Sequence, residues 1–441
     1  MADGAGRMWA SSKLGLNRIE HVAPDSFRVR SFMMHQGMPN DNVYCSLEDD
    51  HGQLWIGTDG GGLLRFAGDR FVTLTTNEGL CSDLVMTMGR DASGAEWIGT
   101  YGNGICRLDG MAMITTLEGL PNNTVWCNLL DSRGRHWWGT SDGLCLLEKG
   151  VVRTPADDIL LTDNRVLALL EDRNGNIWCG TRDGVSVMDP TGEVVHHRAG
   201  GNGPGRSVRS LVEDAVGNIW LGSENGLYRA RHGRFERFTS ENGLPDNTVM
   251  TLAIDGAQRL WIGTANGVAI RSDSGMVTIR LGDDPGSNYV DMLHIDANGT
   301  GWAGTNNGIY RFRPKLLPAQ MGSIERINAR DGLLGTECNL NAYYLDTLGR
   351  SWIGTANGLV MHDPRRRSNP PYTKLPFCTI GGVRSFLQAS DWKGQCDSLD
   401  NTTGLPLGLR LDHRKHYLTF DYSATAFARP EEVRYLSLIH I

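Results

Sequence analysis

An aspartate stands six residues ahead of a tryptophan nine times along the chain: Asp3/Trp9, Asp49/Trp55, Asp91/Trp97, Asp131/Trp137, Asp172/Trp178, Asp214/Trp220, Asp255/Trp261, Asp296/Trp302 and Asp346/Trp352. A carboxylate opening a tight turn accepts hydrogen bonds from the turn amides, and a glycine three residues later supplies positive φ. Gln258 replaces that glycine in one copy, which costs about 1–2 kcal/mol if the left-handed geometry is kept. Each indole buries about 150–250 Å², so the pair is structural chemistry, a packing anchor held by a turn. Chemistry suited to recognition sits elsewhere. After each G-T or G-S the chain turns through x-[N/D]-G, with Asp142, Asp183, Asn225, Asn266, Asn307 and Asn357 as turn formers. The residue directly after the threonine or serine varies: Tyr101, Ser141, Arg182, Glu224, Ala265, Asn306, Ala356. A fixed scaffold position whose residue type changes from copy to copy is a place where recognition can be encoded. Tyr101, Arg182, Glu224 and Asn306 are therefore the candidate ligand-binding residues. They offer an aromatic face, a guanidinium, a carboxylate and an amide, a set that suits a small polar, sugar-like ligand. The same positions also read as ordinary exposed turn residues.

Catalytic and cofactor chemistry finds little support. DRNGN at 172–176 resembles the opening of a calcium loop but lacks the terminal bidentate glutamate, and reads as a hairpin turn. YGNGICRLDG and DGGGLL do not lead from a strand into a helix, so no phosphate cradle is expected. His196–His197 and His413/His416 are isolated pairs, and no Ser/His/Asp arrangement stands out. No metal, cofactor or catalytic residue is expected, and the chain itself should have no turnover. The nine cysteines form no C-x-x-C pair. Cys45, Cys106, Cys127, Cys145 and Cys179 lie in apolar strand patterns and read as buried free thiols. Only Cys378 and Cys396 sit where a disulfide would be unsurprising.

The elements that must position these residues follow from the repeat. The pattern D-x-x-G-x-x-W-x-G-T recurs with 40–50 residues between tryptophans, and 56 of 441 residues are glycine. A period of about 40–45 residues with many tight turns signals β-propeller blades. The second copy after Trp55 divides into TVWCNLLD, a turn at Ser132–Arg135, HWWGT, a turn, LCLLEKG and VVRT, a four-stranded antiparallel blade. Valines 43, 85, 125, 166, 208, 249 and 290 each precede the turn aspartate by six residues. Two residues after them come Cys45, Thr87, Cys127, Ala168, Ser210, Thr251 and Met292. All but Met292 are small, as an inner strand crowded against a propeller axis requires. The fold class is all-β. Seven four-stranded blades, Trp97 to Trp352, form the simplest closed ring, with RFVTLTT at 70–76 as the outer strand of the last blade; an eight-bladed ring is the alternative. A net charge of −7 leaves no electrostatic footprint for nucleic acid. No run approaches the ~18 apolar residues of a membrane span, and no signal peptide opens the chain.

These repeats, with the linking phrases EGLPNNTV at 118–125 and ENGLPDNTV at 241–249, resemble the two-component regulator propeller repeat over roughly residues 3–364. The resemblance implies the extracytoplasmic, periplasmic sensor region of a membrane-bound histidine kinase, hybrid kinase or diguanylate cyclase. It implies a small polar ligand such as an oligosaccharide, signal transduction by phosphorelay or cyclic dinucleotide, and a homodimer in the full receptor. LRLDHRKHYLTFDYSATAFARPEEVRY, 409–435, resembles the start of the triple-tyrosine β-sandwich that follows such propellers. The expected domains are remnant blades of a preceding propeller at 1–69, a propeller at 70–364, a linker at 365–376 and an incomplete sandwich at 377–435. Residues 436–441, LSLIHI, resemble the in-frame translation of a sequencing-library adapter. With the mid-blade start, this reads as an internal fragment whose membrane and output segments are missing. Similar D-x-x-G-x-x-W repeats occur in streptogramin lyases, so a propeller enzyme is the alternative, and an interaction scaffold is the third reading.

Overall fold

The Asp131 turn shows how one repeat becomes one blade. Val125–Leu130 pairs antiparallel with His136–Thr140, which pairs with Gly143–Glu148, which pairs with Val151–Arg153. Between the first two strands the Gly134 N–H donates to the Asp131 carbonyl at 2.9 Å, and the Asp131 carboxylate takes the Arg133 and Arg135 amides. The computed structural model describes residues 1–3, 7–23, 26–33, 41–48, 54–66, 71–76, 79–109, 112–148, 151–153, 161–272, 275–296, 299–312, 324–328, 333, 335–365, 377–385, 392–401, 403–411 and 418–425. The chain divides into two units. One comprises Met1–Ser31, Asn40–Phe66 and Asn369–Ile441; the other comprises Phe32–Pro39 and Ala67–Ser368. Among the described residues no helix is long and apolar enough to cross a membrane.

The larger unit contains seven four-stranded antiparallel sheets. We number them blades 1–7 by their tryptophans: Trp97, Trp137, Trp178, Trp220, Trp261, Trp302 and Trp352. In blades 1–6 the four strands follow chain order. Blade 7 consists of Cys338–Leu345, Ser351–Thr355 and Gly358–His362, and its fourth strand is Phe71–Leu74 from the far end of the unit. The first strands of successive blades are neighbours, and that of blade 7 neighbours that of blade 1, so the first strands form the inner wall of a ring.

Packing between blades explains the repeat. Trp261 of blade 5 packs with Val290, Leu293, Ala303 and Phe312 of blade 6. Trp97 packs on Trp138 and Leu147 of blade 2. Trp352 packs on Met88, Ile98 and Cys106 of blade 1, which closes the circle. Trp97, Trp137, Trp220, Trp261, Trp302 and Trp352 are buried, whereas Trp178 and Trp55 are only half-buried. The glycine of W-x-G-T has its own reason, a close approach between blades. A Cβ on Gly139 would meet Val166 of blade 3 at 2.7 Å, and one on Gly263 would meet Val290 of blade 6 at 2.8 Å. Repeated valine and repeated glycine are thus two halves of one contact.

Met292 follows from a departure in blade 7. There Cys338 pairs with Thr355, as Val290 pairs with Thr305 in blade 6. The smaller cysteine leaves room, and Met292 is buried against Trp302, Cys338 and Ile353. Gln258 has φ 60°, the left-handed geometry expected of a glycine at that turn. Gln258→Gly is expected to raise stability by about 1 kcal/mol in urea titration, the relief of strain exceeding the added backbone entropy. A loss of stability would show that the side chain more than offsets the strain.

Two cysteine expectations are corrected. Cys106 is not a free thiol: it forms a disulfide with Cys81, which occupies the linking-phrase position held by Pro121 and Pro245 in other repeats. Cys45 is free but exposed, because its strand lies in the smaller unit, in a sheet of three strands. Cys127 is a half-buried free thiol, and Cys145 and Cys179 are buried free thiols. Cys396 is free, its thiol donating to the Trp392 carbonyl, so it does not pair with Cys378.

The smaller unit holds the sheets Met8–Ser12/Gly15–Ala23/Ser26–Phe32, all but the terminal Phe32, and Val43–Glu48/Leu54–Thr58/Gly62–Arg65. It also holds the pairs Phe377–Ser385/Leu418–Thr425 and Ser398–Leu399/Pro406–Leu407. The segment from Asn369 groups with the N-terminal sheets. The linker beyond Arg365, His413, His416 and residues 436–441 lie outside the described residues.

Candidate functional site

The turn aspartates do more than cap their turns. Their second carboxylate oxygen accepts the indole N–H: Trp137 Nε1 to Asp131 Oδ2 is 2.8 Å, and Trp178 to Asp172 is 2.9 Å. The same bond occurs at Trp9, Trp97, Trp220, Trp261 and Trp352. Burial works against charge on Asp131, but the Trp137 indole and the Arg135 amide and guanidinium outweigh it and hold its carboxyl below the usual range. This pairing is structural and leaves nothing free for a ligand.

The threonine of W-x-G-T positions the candidate residues. Thr140 is fully buried; its hydroxyl donates to the Gly143 carbonyl at 2.9 Å and accepts the Asp142 N–H at 3.1 Å. Thr181, Ser223, Thr264, Thr305 and Thr355 do the same. Closing the turn this way turns the next side chain outward. The turn also lies beside the start of the inner strand: Val125 pairs with Thr140, and the Ser141 N–H donates to the Thr124 carbonyl. Tyr101, Glu224, Ala265 and Ala356 are held by equivalent bonds to Leu84, Arg206, Thr248 and Glu337, and Arg182 accepts from the Ser207 N–H. In blade 6 the residue before Asn306, Thr305, pairs with Val290 at the start of the inner strand, so the seven turns gather on one face of the ring, around the inner strands.

Tyr101, Arg182, Glu224 and Asn306 are all exposed on this face. No hydrogen bond or ion pair joins any two of them among the described residues. Tyr101 and Glu224 meet residues at or just before the inner strands instead. Tyr101 meets Trp126 edge to face with ring centroids 5.8 Å apart, and Trp126 donates its indole N–H to Ser141 Oγ. Glu224 accepts from Ser207 Oγ at 3.0 Å and faces Arg209 Nη2 at 4.0 Å.

Trp126 and Arg209 share a repeat position with Met86, Leu167, Met250 and Asp291: the residue directly after the inner-strand valine. In most blades the pairing register slips at this residue, leaving it as a bulge. Comparing repeats one column further along would have exposed this second variable position. Contacts between non-neighbouring blades place it at the axis. Arg209 of blade 4 acts electrostatically on Asp291 of blade 6. In blade 7 the bulge widens to 339–342, Asn341 takes φ 52°, and its Nδ2 donates to the Arg209 carbonyl at 2.8 Å. Blades 4 and 7 are not neighbours, so this bond crosses the ring.

Asp291 is the unusual member. It is 7% exposed and accepts no hydrogen bond from a described residue. Burial, with the charge of Glu337 adding to it and Arg209 opposing, pushes its carboxyl up to about 7. Arg209 Nη1 is likewise buried without a partner. Among the described residues no group of three or more His, Cys, Asp or Glu is arranged to hold a metal ion.

The profile of the two-component regulator propeller repeat matches residues 37–60, 160–183, 202–225 and 243–266. No curated protein matches the chain. Among solved structures, the extracellular domain of a protein described as a hybrid two-component system of B. thetaiotaomicron is similar, with 21% identity and a TM-score of 0.66 over 98% of this chain and 64% of that one. A second such domain from the same organism, described as part of a one-component system, has 18% identity and a TM-score of 0.56, over 96% and 59%. A virginiamycin B lyase from Staphylococcus aureus has 16% identity and a TM-score of 0.52, over 66% and 98%. The chain spans less than two thirds of the length of the two extracellular domains. With the ring of blades, the indole–aspartate anchors and the profile in agreement, the chain carries two-component regulator propeller repeats.

Proposed function

We propose that this chain is the ligand-sensing propeller region of an extracytoplasmic receptor of the two-component type, binding a small polar ligand, with a carbohydrate fragment as its class. The observation that carries the reading is the mouth of the ring. There, a buried threonine, or Ser223 in blade 4, closes the turn while the residue presented outward varies around the ring. Rigid backbone with varied, convergent polar and aromatic side chains is the usual construction of a small-molecule site. The disulfide Cys81–Cys106 suits an oxidising compartment, as an extracytoplasmic sensor would occupy. In this reading the chain acts by binding, and kinase or cyclase chemistry belongs to an output domain of the full receptor, which signals as a dimer.

Calorimetry of the chain against an oligosaccharide panel tests the proposal. Arg182→Ala is expected to weaken binding about tenfold or more through loss of a charge-assisted hydrogen bond. Unchanged affinity would move recognition away from this turn set.

A further inference from the structure

We propose that the side of the mouth formed by blades 6 and 7 is a subsite for an ammonium group of the ligand, with Asp291 and Glu337 as its acceptors. The inference rests on the mouth being the sensing site. Arginines gather on one side of the ring, with Glu224 among them. Arg182, Arg206 and Arg209 come from the blade 3–blade 4 stretch, whereas Asp246, Asp291 and Glu337 come from blades 5 to 7. Asp291 is buried and unpartnered among the described residues, and it stands in the bulge of the blade 6 inner strand, beside the axis that the Asn341–Arg209 bond crosses. Arg209 offsets the shift only in part. Glu224 already faces that guanidinium at 4.0 Å.

A buried carboxyl whose ionised form is disfavoured by burial and by an exposed carboxylate nearby gains from a cation placed beside both. A metal ion would need at least three converging donors, and the described residues supply no such group. An ammonium group needs fewer: its N–H donors can use the open Asp291 oxygens and Glu337. The Tyr101–Trp126 pair stands at the same mouth on blades 1 and 2, where a sugar ring carrying the ammonium can stack. Arg209 Nη1, also buried and unpartnered, is left to donate to a hydroxyl or ring oxygen of the same ligand.

The test is calorimetry of the full chain with two probes, the β-1,4-linked disaccharide of glucosamine and its di-N-acetyl form, at neutral pH, where both the amine and the Asp291 carboxyl carry charge in part. The free amine form is expected to bind about tenfold or more tightly than the acetylated form. Asp291→Asn and Glu337→Gln should each remove that preference while leaving the acetylated form unaffected. Glu337 is exposed, so its exchange does not challenge folding. Equal affinity for the two probes, or a preference that survives both substitutions, overturns the ammonium subsite. Binding of the acetylated form alone overturns it while keeping the mouth as a sensing site. Binding of neither overturns both readings.

Discussion

Trp261→Ala is expected to cost about 3–5 kcal/mol in urea titration, the range for deleting a fully buried large side chain. Trp261 is 0% exposed. Its ring lies between Val268 and Ile270 of its own blade and Phe312 of the next, with ring centroids 5.8 Å apart. Its N–H bonds Asp255 Oδ2 at 2.9 Å, and Arg259 lies over its face. Alanine opens a cavity between blades and leaves a buried carboxylate oxygen short of one donor, which adds to the loss. Trp178 makes the same bond to Asp172 but is only half-buried, so Trp178→Ala should cost clearly less. Equal costs for the two variants, or a loss under about 1 kcal/mol at Trp261, would mean that the blades are not held together by these rings.

The second large effect is opposite in sign. Asp291→Asn is expected to stabilise the chain relative to wild type increasingly as pH rises. In the unfolded chain this carboxyl ionises near ~3.9, whereas in the folded ring it keeps its proton up to about 7. Between those values the folded state binds more protons than the unfolded state, so the wild-type protein loses stability as pH rises through the window. The amide has no proton to lose. The advantage of the variant should therefore grow by about 2–3 kcal/mol between about pH 5 and about pH 8. Using the change with pH removes any fixed cost of the amide itself. An advantage that stays constant across that range would show that Asp291 is ionised throughout. Such a penalty, kept at a position that faces the axis, is the stability cost that binding sites commonly carry.

Acid should act the other way on the turn aspartates. Asp131, Asp255 and Asp346 have carboxyls held below their ordinary range by indole, amide and guanidinium donors that outweigh burial. Their contribution is present above the unfolded value and is lost as pH falls through the folded one.

Much of the scaffold was legible because each feature is local and repeated. The aspartate turn, the glycine φ and the strand boundaries depend on residues within one hairpin, so a column of identical residues reports them directly. Gln258 shows the point: its position alone implied left-handed backbone, and φ is 60°. The variable turn position was equally visible, since Tyr101, Arg182, Glu224 and Asn306 are defined by their distance from one threonine.

What needed the tertiary structure is whatever joins residues far apart in the chain. The pairing of Phe71–Leu74 with Gly358–His362 was available as one option among registers, but only the closed ring selects it. Cys106 looked like its buried counterparts; the disulfide depends on Cys81 lying next to it, which spacing does not reveal. Trp55 and Trp178 match the other tryptophans in sequence, yet their burial depends on what each neighbouring blade offers. The charged axis is the clearest case. Arg209, Asp291, Glu337 and Asn341 come from three blades and meet only because ring closure turns each inner strand toward a common centre. Sequence alone determined that this chain is a ring of indole-anchored β-blades with one varied turn. Closure decided which side chains face one another across the axis, because charge and desolvation act through space and take no account of separation along the chain.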